Sequence, residues 1–311
     1  EDIVIEMLRN ARDAGADKVY LATTKEDGVR TLVFLDNGSG VPQDMQERIF
    51  DARVTSKLES MKMDRWGVHG RGMALFSIKQ NTDEARVVAS DVDLGSVFKV
   101  SVATDRLGER ADQSSWPQAV KDEDGHYVCA RGPHNIIRAA CEFALEELRA
   151  CDVYLGSPSE IAATLHSQAS SRLDASRLLF IDDEAELPVV DRLGLASDAE
   201  DFIRICSGLG LEMSERTAHR ILAGQIKPVR GVTARLLRER DSSSHASAPV
   251  DLAKDRRGLR IAKDDMAQFS RAVERDFNDL ASRYYLNLCG DPKIRVSRDR
   301  ITVTFDLAKE E

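Results

Sequence analysis

Between Glu6 and Leu75 three clusters of polar and glycine residues stand in a fixed order, each attached to a different kind of backbone. Residues 2–14 (DIVIEMLRNARDA) read as a helix that Gly15 ends. On it Glu6, Asn10 and Asp13 are spaced i, i+4 and i+7, so they share one face, while Ile3, Val4, Leu8 and Ala11 occupy the others. The second cluster, Asp36-Asn37-Gly38-Ser39-Gly40, closes a strand read over 29–36. The third, Gly67-Val68-His69-Gly70-Arg71-Gly72-Met73, leads into a helix read over 73–80. A chain that keeps this order must bring a helix face, a strand end and a glycine-rich loop to one place.

Each cluster suits a chemical task. An amide oxygen such as that of Asn10 can ligate Mg²⁺, a hard cation that takes oxygen ligands. A carboxylate one turn away, Glu6, can orient or deprotonate a water. A carboxylate at a strand end, Asp36, can accept a hydrogen bond from an amino group, and Gly38 and Gly40 let the backbone turn and approach a planar ligand closely. Backbone amides of a glycine-rich loop that opens a helix favour a polyphosphate. The third cluster has no GK[ST] and no preceding strand of the dinucleotide-binding kind, so neither of those phosphate loops is expected.

The rest of the chain reads as a mixed α+β protein. Strands are expected over 18–23 and 29–36, joined around Asp27-Gly28, and over 85–90 and 96–103. A mixed, mainly helical stretch is expected up to residue 66, and 67–72 as a loop. Residues 104–134 are polar and read as irregular, 135–150 as helix, 151–155 as strand and 158–170 as helix. Beyond 175 short helices follow. Ser197 and Glu200 predict a capping box for a helix near 198–206, and Ser214 caps a helix that Gly224 ends. A basic helix over 229–239 precedes a Ser-rich linker at 241–249. Phe269, Val273, Phe277, Leu280 and Tyr284 keep a helical period, so 264–287 reads as one long helix, with a hairpin over 293–307 after it.

Composition narrows the function classes. A net charge of −9 argues against a protein coated in basic surface, although Lys227, Arg230, Arg235, Arg238 and Arg240 cluster, followed by Lys254, Arg256 and Arg257. Cys129, Cys141, Cys151, Cys206 and Cys289 are odd in number and form no CxxC pair, so a disulfide framework or zinc site is not expected and a reducing cytoplasm fits. No apolar run is long enough to span a membrane and no signal peptide is read. The sequence starts at Glu1 inside a helical pattern, so more chain is expected before it.

Together the clusters resemble the GHKL (Bergerat-fold) ATPases. Glu6-MLR-Asn10-AR-Asp13-AGA resembles their N-box, Asp36–Gly40 their second motif and Gly67–Leu75 their third. Ala52-Arg-Val-Thr55-Ser-Lys57 is similar to the ATSK segment of the MutL-type members. The resemblance implies ATP and Mg²⁺ as ligands, with Glu6 as general base and Asn10 as the metal ligand. It implies that Asp36, with Gly38 and Gly40, reads adenine, and that Asp13 braces the pocket. Gly67, Val68, His69, Gly70, Arg71, Gly72 and Met73 would form the lid over the phosphates, with Thr55 and Lys57 near the nucleotide. Glu6 separates the chain from the superfamily's histidine kinases, which need no hydrolytic base, and implies a slow ATPase.

The second half bears on the branch. Residues 200–223 give helix, glycine-containing turn and helix, which resembles the helix–two-turn–helix domain of the DNA topoisomerase VI B subunit. The domains expected are therefore a Bergerat-type α/β sandwich ATPase domain over 1–172, a mostly helical domain over 173–240, and a linker, long helix and hairpin over 241–311. The function expected is an ATP-gated DNA-handling subunit that dimerises on ATP, touches DNA through residues 227–240 and needs a separate cleaving subunit. The alternatives are a MutL-like or chaperone-like switch acting on a protein partner, and a nucleotide sensor that does not hydrolyse. No switch lysine or transducer is recognised, and Tyr284 and Tyr285 read as packing residues.

Overall fold

The computed structural model describes residues 1–54, 62–64, 67–69, 73–173, 181 and 183–237, and of the remainder 266, 269, 270, 272–274, 277, 286–288, 292–296, 301–305 and 307–309. These fall into two compact units, Glu1–Ser244 and His245–Glu311.

In the first unit, helix α1 spans Asp2–Asp13. Gly15 follows it at φ 77, the left-handed conformation that lets a helix end without a Cβ clash. Strands β1 (Lys18–Glu26) and β2 (Val29–Asp36) pair antiparallel in register from Val19 with Asp36 to Glu26 with Val29. Their two-residue connection places Asp27 at φ 47 and Gly28 at φ 79, the paired positive angles that suit the twist of a tight hairpin. After short 3₁₀ turns at Gln43–Met45 and Arg48–Phe50 come β3 (Lys62–Asp64), β4 (Gly67–His69) and α2 (Ala74–Asn81). Strands β5 (Glu84–Ser90) and β6 (Ser96–Ala103) precede a hairpin of β7 (Gln118–Lys121) and β8 (Tyr127–Arg131). Then follow α3 (Ile136–Glu146), β9 (Asp152–Gly156), α4 (Pro158–Arg172), α5 (Ala199–Gly208), α6 (Glu215–Leu222) and a last helical turn α7 over 232–237.

The central sheet has the order β5-β6-β2-β1-β9. It is antiparallel except at β1 and β9, which run parallel. Both faces are covered. Val19, Leu21, Leu32, Phe34, Phe98, Val153 and Leu155 point into one core with Val4, Leu8 and Ala11 of α1 and Ala140, Cys141 and Phe143 of α3. The alternate residues Tyr20, Ala22, Val33, Leu35 and Val97 point into a second core with Ile161 and Leu165 of α4, Phe202 and Ile205 of α5, and Leu209, Leu211 and Ala218. A strand buried on both faces needs an unbroken apolar run, and Val19–Ala22 and Leu32–Leu35 supply it. In the outer core the Tyr20 ring stacks on Tyr154 at 4.9 Å and its hydroxyl donates to Gln168 Oε1 at 2.5 Å. The helices expected as a separate domain over 173–240 thus share a core with the sheet.

Several expectations are corrected. Among the described residues of the stretch before 66, only two short 3₁₀ turns are helical, and Lys62–Asp64 is a strand that pairs with Gly67–His69, so the start of the glycine-rich segment is extended. Residues 104–134 contain the β7–β8 hairpin, whose outer positions such as Val120 are exposed and too polar in sequence to signal a core strand. The cap of α5 is Asp198, whose carboxylate accepts from Asp201 N at 2.9 Å, while Ser197 Oγ instead donates to Asp201 Oδ2 at 2.6 Å. The cap therefore moves by one residue and is a single side-chain cap in place of the expected box. Ser214 caps α6 as expected.

In the second unit helical residues are described at 266, 269, 270, 272–274 and 277. The long helix expected to residue 287 gives way before Leu286, where β10 (Leu286–Leu288) pairs antiparallel with β13 (Leu307–Lys309). The expected hairpin is β11 (Lys293–Val296) with β12 (Ile301–Thr304), and β12 ends before Leu307. Phe277 stacks on Phe305 with centroids 4.0 Å apart. The linker expected at 241–249 lies outside the described residues.

Phe202 is fully buried against the outer face of the sheet. Phe202→Ala should cost about 3–5 kcal/mol. Urea unfolding, followed both by far-ultraviolet circular dichroism and by Trp116 fluorescence in a Trp66→Phe background, should move to the same lower midpoint with both probes. A shift in only one would mean that the two layers unfold separately.

Candidate functional site

The site assembles where the C-terminal end of α1 meets the loop after β2. The period of two that sends Leu32 and Phe34 to the α1 side of the sheet sends Asp36 there as well. The loop is tied to the helix by Ser39 N, which donates to Ala14 O at 2.9 Å, and Ala14 N in turn donates to Asn10 O at 2.9 Å. Gly38 lies so near that a Cβ on it would stand 2.9 Å from Ala14 Cβ. Asn37 fixes the other side: its Oδ1 accepts from Asp17 N and Lys18 N at 3.1 and 2.9 Å, and its Nδ2 donates to Asp17 Oδ1 at 2.6 Å.

Asp36 is the centre of the arrangement. Its carboxylate is 3% exposed, accepts from Gly38 N at 2.8 Å through Oδ1 and accepts from the Ser96 hydroxyl through Oδ2. Burial pushes its carboxyl above the usual range, and the bonds from Ser96 and Gly38 pull the other way without cancelling that push. The enclosure depends on close backbone contact between the loop and the β5–β6 turn. A Cβ on Gly40, at φ 68, would stand 1.8 Å from Asp91 O, and one on Gly95, at φ 76, would stand 2.1 Å from Asp36 O. Ser90 completes the frame: Val41 N donates to Ser90 Oγ at 2.7 Å, and that hydroxyl donates to Gly95 O at 2.8 Å. Sequence reasoning named Gly38 and Gly40 but missed Gly95 and Ser96. The signal was present in Asp93-Leu94-Gly95-Ser96, a turn between two strands placed to face the end of β2.

On α1 the expected polar face is real but more enclosed than a solvated stripe. Glu6 accepts from Arg9 Nη1 at 2.7 Å, and the Arg9 side chain is 3% exposed. Asn10 Nδ2 is buried and meets no hydrogen-bond partner among the described residues. Asp13 Oδ1 accepts from Arg12 Nε at 3.2 Å, and Arg12 Nη1 also donates to Glu147 Oε1 of the turn after α3 at 3.0 Å. Asp13 is thus paired with Arg12, its neighbour on α1. Arg9 and Arg12 were not singled out in the sequence.

The third cluster is described only in part. Gly67, Val68 and His69 form β4, and exposed Met73 precedes α2, which packs beside α1. Thr55, Lys57, Gly70, Arg71 and Gly72 lie outside the described residues. Of the thiols, Cys129, Cys141, Cys151 and Cys206 are buried, and burial pushes those of Cys151 and Cys206 up to about 12, which fits packing residues.

A buried carboxylate at a strand end is thus set beside a helix that presents a carboxylate and an amide one turn apart. Comparison with known proteins agrees for the same region: residues 1–90 match the family model described as histidine kinase-, DNA gyrase B-, and HSP90-like ATPase. The matched segment contains all three clusters, from Glu6 to Met73. It is similar to the DNA mismatch repair protein MutL of Thermodesulfovibrio yellowstonii, with 33% identity over 98 residues, and to that of Pediococcus pentosaceus, with 30% over 115. These alignments cover 30% and 36% of this chain but only 18% and 17% of the MutL proteins. Among solved structures, the catalytic domain of the histidine kinase ThkA aligns with 17% identity over 32% of this chain and 63% of its own, at a TM-score of 0.26.

The folded-state pKa of Asp36 lies above its unfolded value, so folding takes up a proton at this group. The stability this confers is complete below the unfolded pKa of about 4 and is lost as pH rises through the raised folded value. Wild type should therefore lose stability relative to Asp36→Asn as pH is raised from about 4 towards 7. Denaturant midpoints of both proteins across that range check it, and a difference that stays flat with pH would contradict the burial argument.

Proposed function

We propose that this chain binds ATP with Mg²⁺ and hydrolyses it slowly, and that the nucleotide state controls its self-association and its hold on DNA. The observation that supports the reading best is the buried Asp36 carboxylate, held by Gly38 and Ser96 on the face of the sheet where α1 presents Glu6 and Asn10. A buried acceptor with two fixed donors keeps its remaining lone pairs aimed in set directions, which suits recognition of the adenine amino group. Glu6 would take the proton of the attacking water. Asn10 would hold the cation. Its oxygen would face the cation, while its Nδ2, a buried donor without a partner at a cost of about 1–3 kcal/mol, would suit an acceptor atom of the bound nucleotide. When bound, Mg²⁺ would neutralise phosphate charge. Gly70, Arg71 and Gly72, with Thr55 and Lys57, would cover the phosphates.

The DNA part of the reading is supported by a basic surface on the first unit. Arg216, His219 and Arg220 are exposed along α6, and Lys227 and Arg230 are exposed after it. Such a cluster on a chain of net charge −9 is suited to phosphates. Arg235 contributes less, because its guanidinium stacks on Trp116 at 4.1 Å. The relatives named as DNA mismatch repair proteins also favour a DNA context, and they favour a MutL-like switch over a topoisomerase VI B-like one for the region they cover. In a MutL-like switch the ATP state would act on a protein partner as well.

Glu6→Gln should keep ATP affinity within about twofold and lower turnover by about 10² or more. Asn10→Ala should weaken binding of Mg²⁺-ATP and leave that of metal-free ATP little changed. Steady-state phosphate release and fluorescent-nucleotide titration with and without Mg²⁺ read both. Unchanged turnover in Glu6→Gln would remove hydrolysis from the proposal and leave a nucleotide sensor.

A further inference from the structure

A nearly buried arginine beside a candidate base is an unusual expense. Arginine stays protonated at any physiological pH, and burying its charge is costly unless it is paired and hydrogen-bonded. On α1 the side chains of Glu6, Arg9, Asn10 and Asp13 follow one another at i, i+3, i+4 and i+7, so Arg9 shares a face with the residues assigned above to the water and the cation and flanks Glu6. Its side chain is 3% exposed, its Nη1 lies 2.7 Å from Glu6 Oε1, and Glu6 keeps 28% of its own side-chain surface open. The arginine is thus sealed while the carboxylate it holds still reaches solvent. An exposed i,i+3 ion pair adds little and leaves both groups mobile. Here the inner partner is itself buried, so the pair orients the outer one.

We propose that Arg9 is a positioning residue for hydrolysis: it holds the Glu6 carboxylate aimed, and so sets the turnover of bound ATP without contributing to nucleotide affinity. This deepens the reading of Glu6 as general base and rests on it. The guanidinium fixes Oε1 by a charge-assisted hydrogen bond, a stronger and more directional tie than a neutral one. A general base must be both deprotonated and in reach of its water, and loss of either slows the chemical step while leaving the ground-state complex intact.

The test compares Arg9→Met, Arg9→Lys, Glu6→Gln and the Glu6→Gln/Arg9→Met pair in the full chain. Arg9→Met should lower kcat by about tenfold or more with the dissociation constant of a non-hydrolysable ATP analogue within about twofold of wild type. Arg9→Lys, which keeps the charge and a donor, should recover part of that loss. In the Glu6→Gln background Arg9→Met should change residual turnover by less than about twofold, because the arginine acts through the carboxylate. The proposal is overturned if Arg9→Met keeps wild-type kcat, if kcat and affinity fall together with no recovery in Arg9→Lys, or if the Arg9→Met loss persists in full without Glu6. Should Arg9→Met fail to fold, Arg9→Lys decides: kcat reduced at unchanged affinity supports the proposal, and affinity lost in step with kcat overturns it. Failure of the underlying reading looks different, since Glu6→Gln alone would then retain wild-type turnover.

Discussion

The arrangement depends on one buried carboxylate. Asp36 is placed at the end of β2, 3% exposed, where an ionised group is costly unless it is hydrogen-bonded. Its two donors come from opposite directions, Gly38 in its own loop and Ser96 on the neighbouring strand β6. Both are in place only because the loop and the β5–β6 turn touch through backbone, at Gly40 against Asp91 and at Gly95 against Asp36. Any side chain at either glycine would push the strand end away from the turn, and the carboxylate would lose its enclosure.

The helix layer follows from the same contact. Ser39 and Gly38 press on Ala14, so the end of α1 is fixed to the strand end, and Asn10 and Glu6 are carried to the site one and two turns back along the helix. Arg12 binds α1 to the turn after α3 through Glu147. Behind the sheet, α4 to α6 cover the other face of β1 and β2, so the strands that carry the site are buried on both sides and held rigid.

Much of this was legible in sequence, for definite reasons. Glu6, Asn10 and Asp13 share a helical period, Asp27-Gly28 is a turn with one preferred geometry, and Ser214 and Gly224 punctuate α6 at both ends. What escaped did so because local pattern was weak or ambiguous. Ser96 serves a residue sixty positions away, and nothing beside it announces that task. Arg9 sits on a face with three polar neighbours and reads as solvated until its burial is known. The β7–β8 hairpin is short and exposed at Val120 and Lys121, so it lacks the apolar alternation of β5 and β6. The unbroken runs Val19–Ala22 and Leu32–Leu35 fit a sheet covered on both faces, but the helices that cover it lie far along the chain and read as a domain apart.

The central claim is that Asp36, Asn10 and Glu6 form one nucleotide site. The most direct measurement is a crystal structure of the chain with Mg²⁺ and a non-hydrolysable ATP analogue. The account predicts the adenine amino group on the Asp36 carboxylate, the cation on Asn10 and the γ-phosphate on the Glu6 side of α1. Nucleotide bound elsewhere on the protein, or adenine seated away from Asp36, would contradict it.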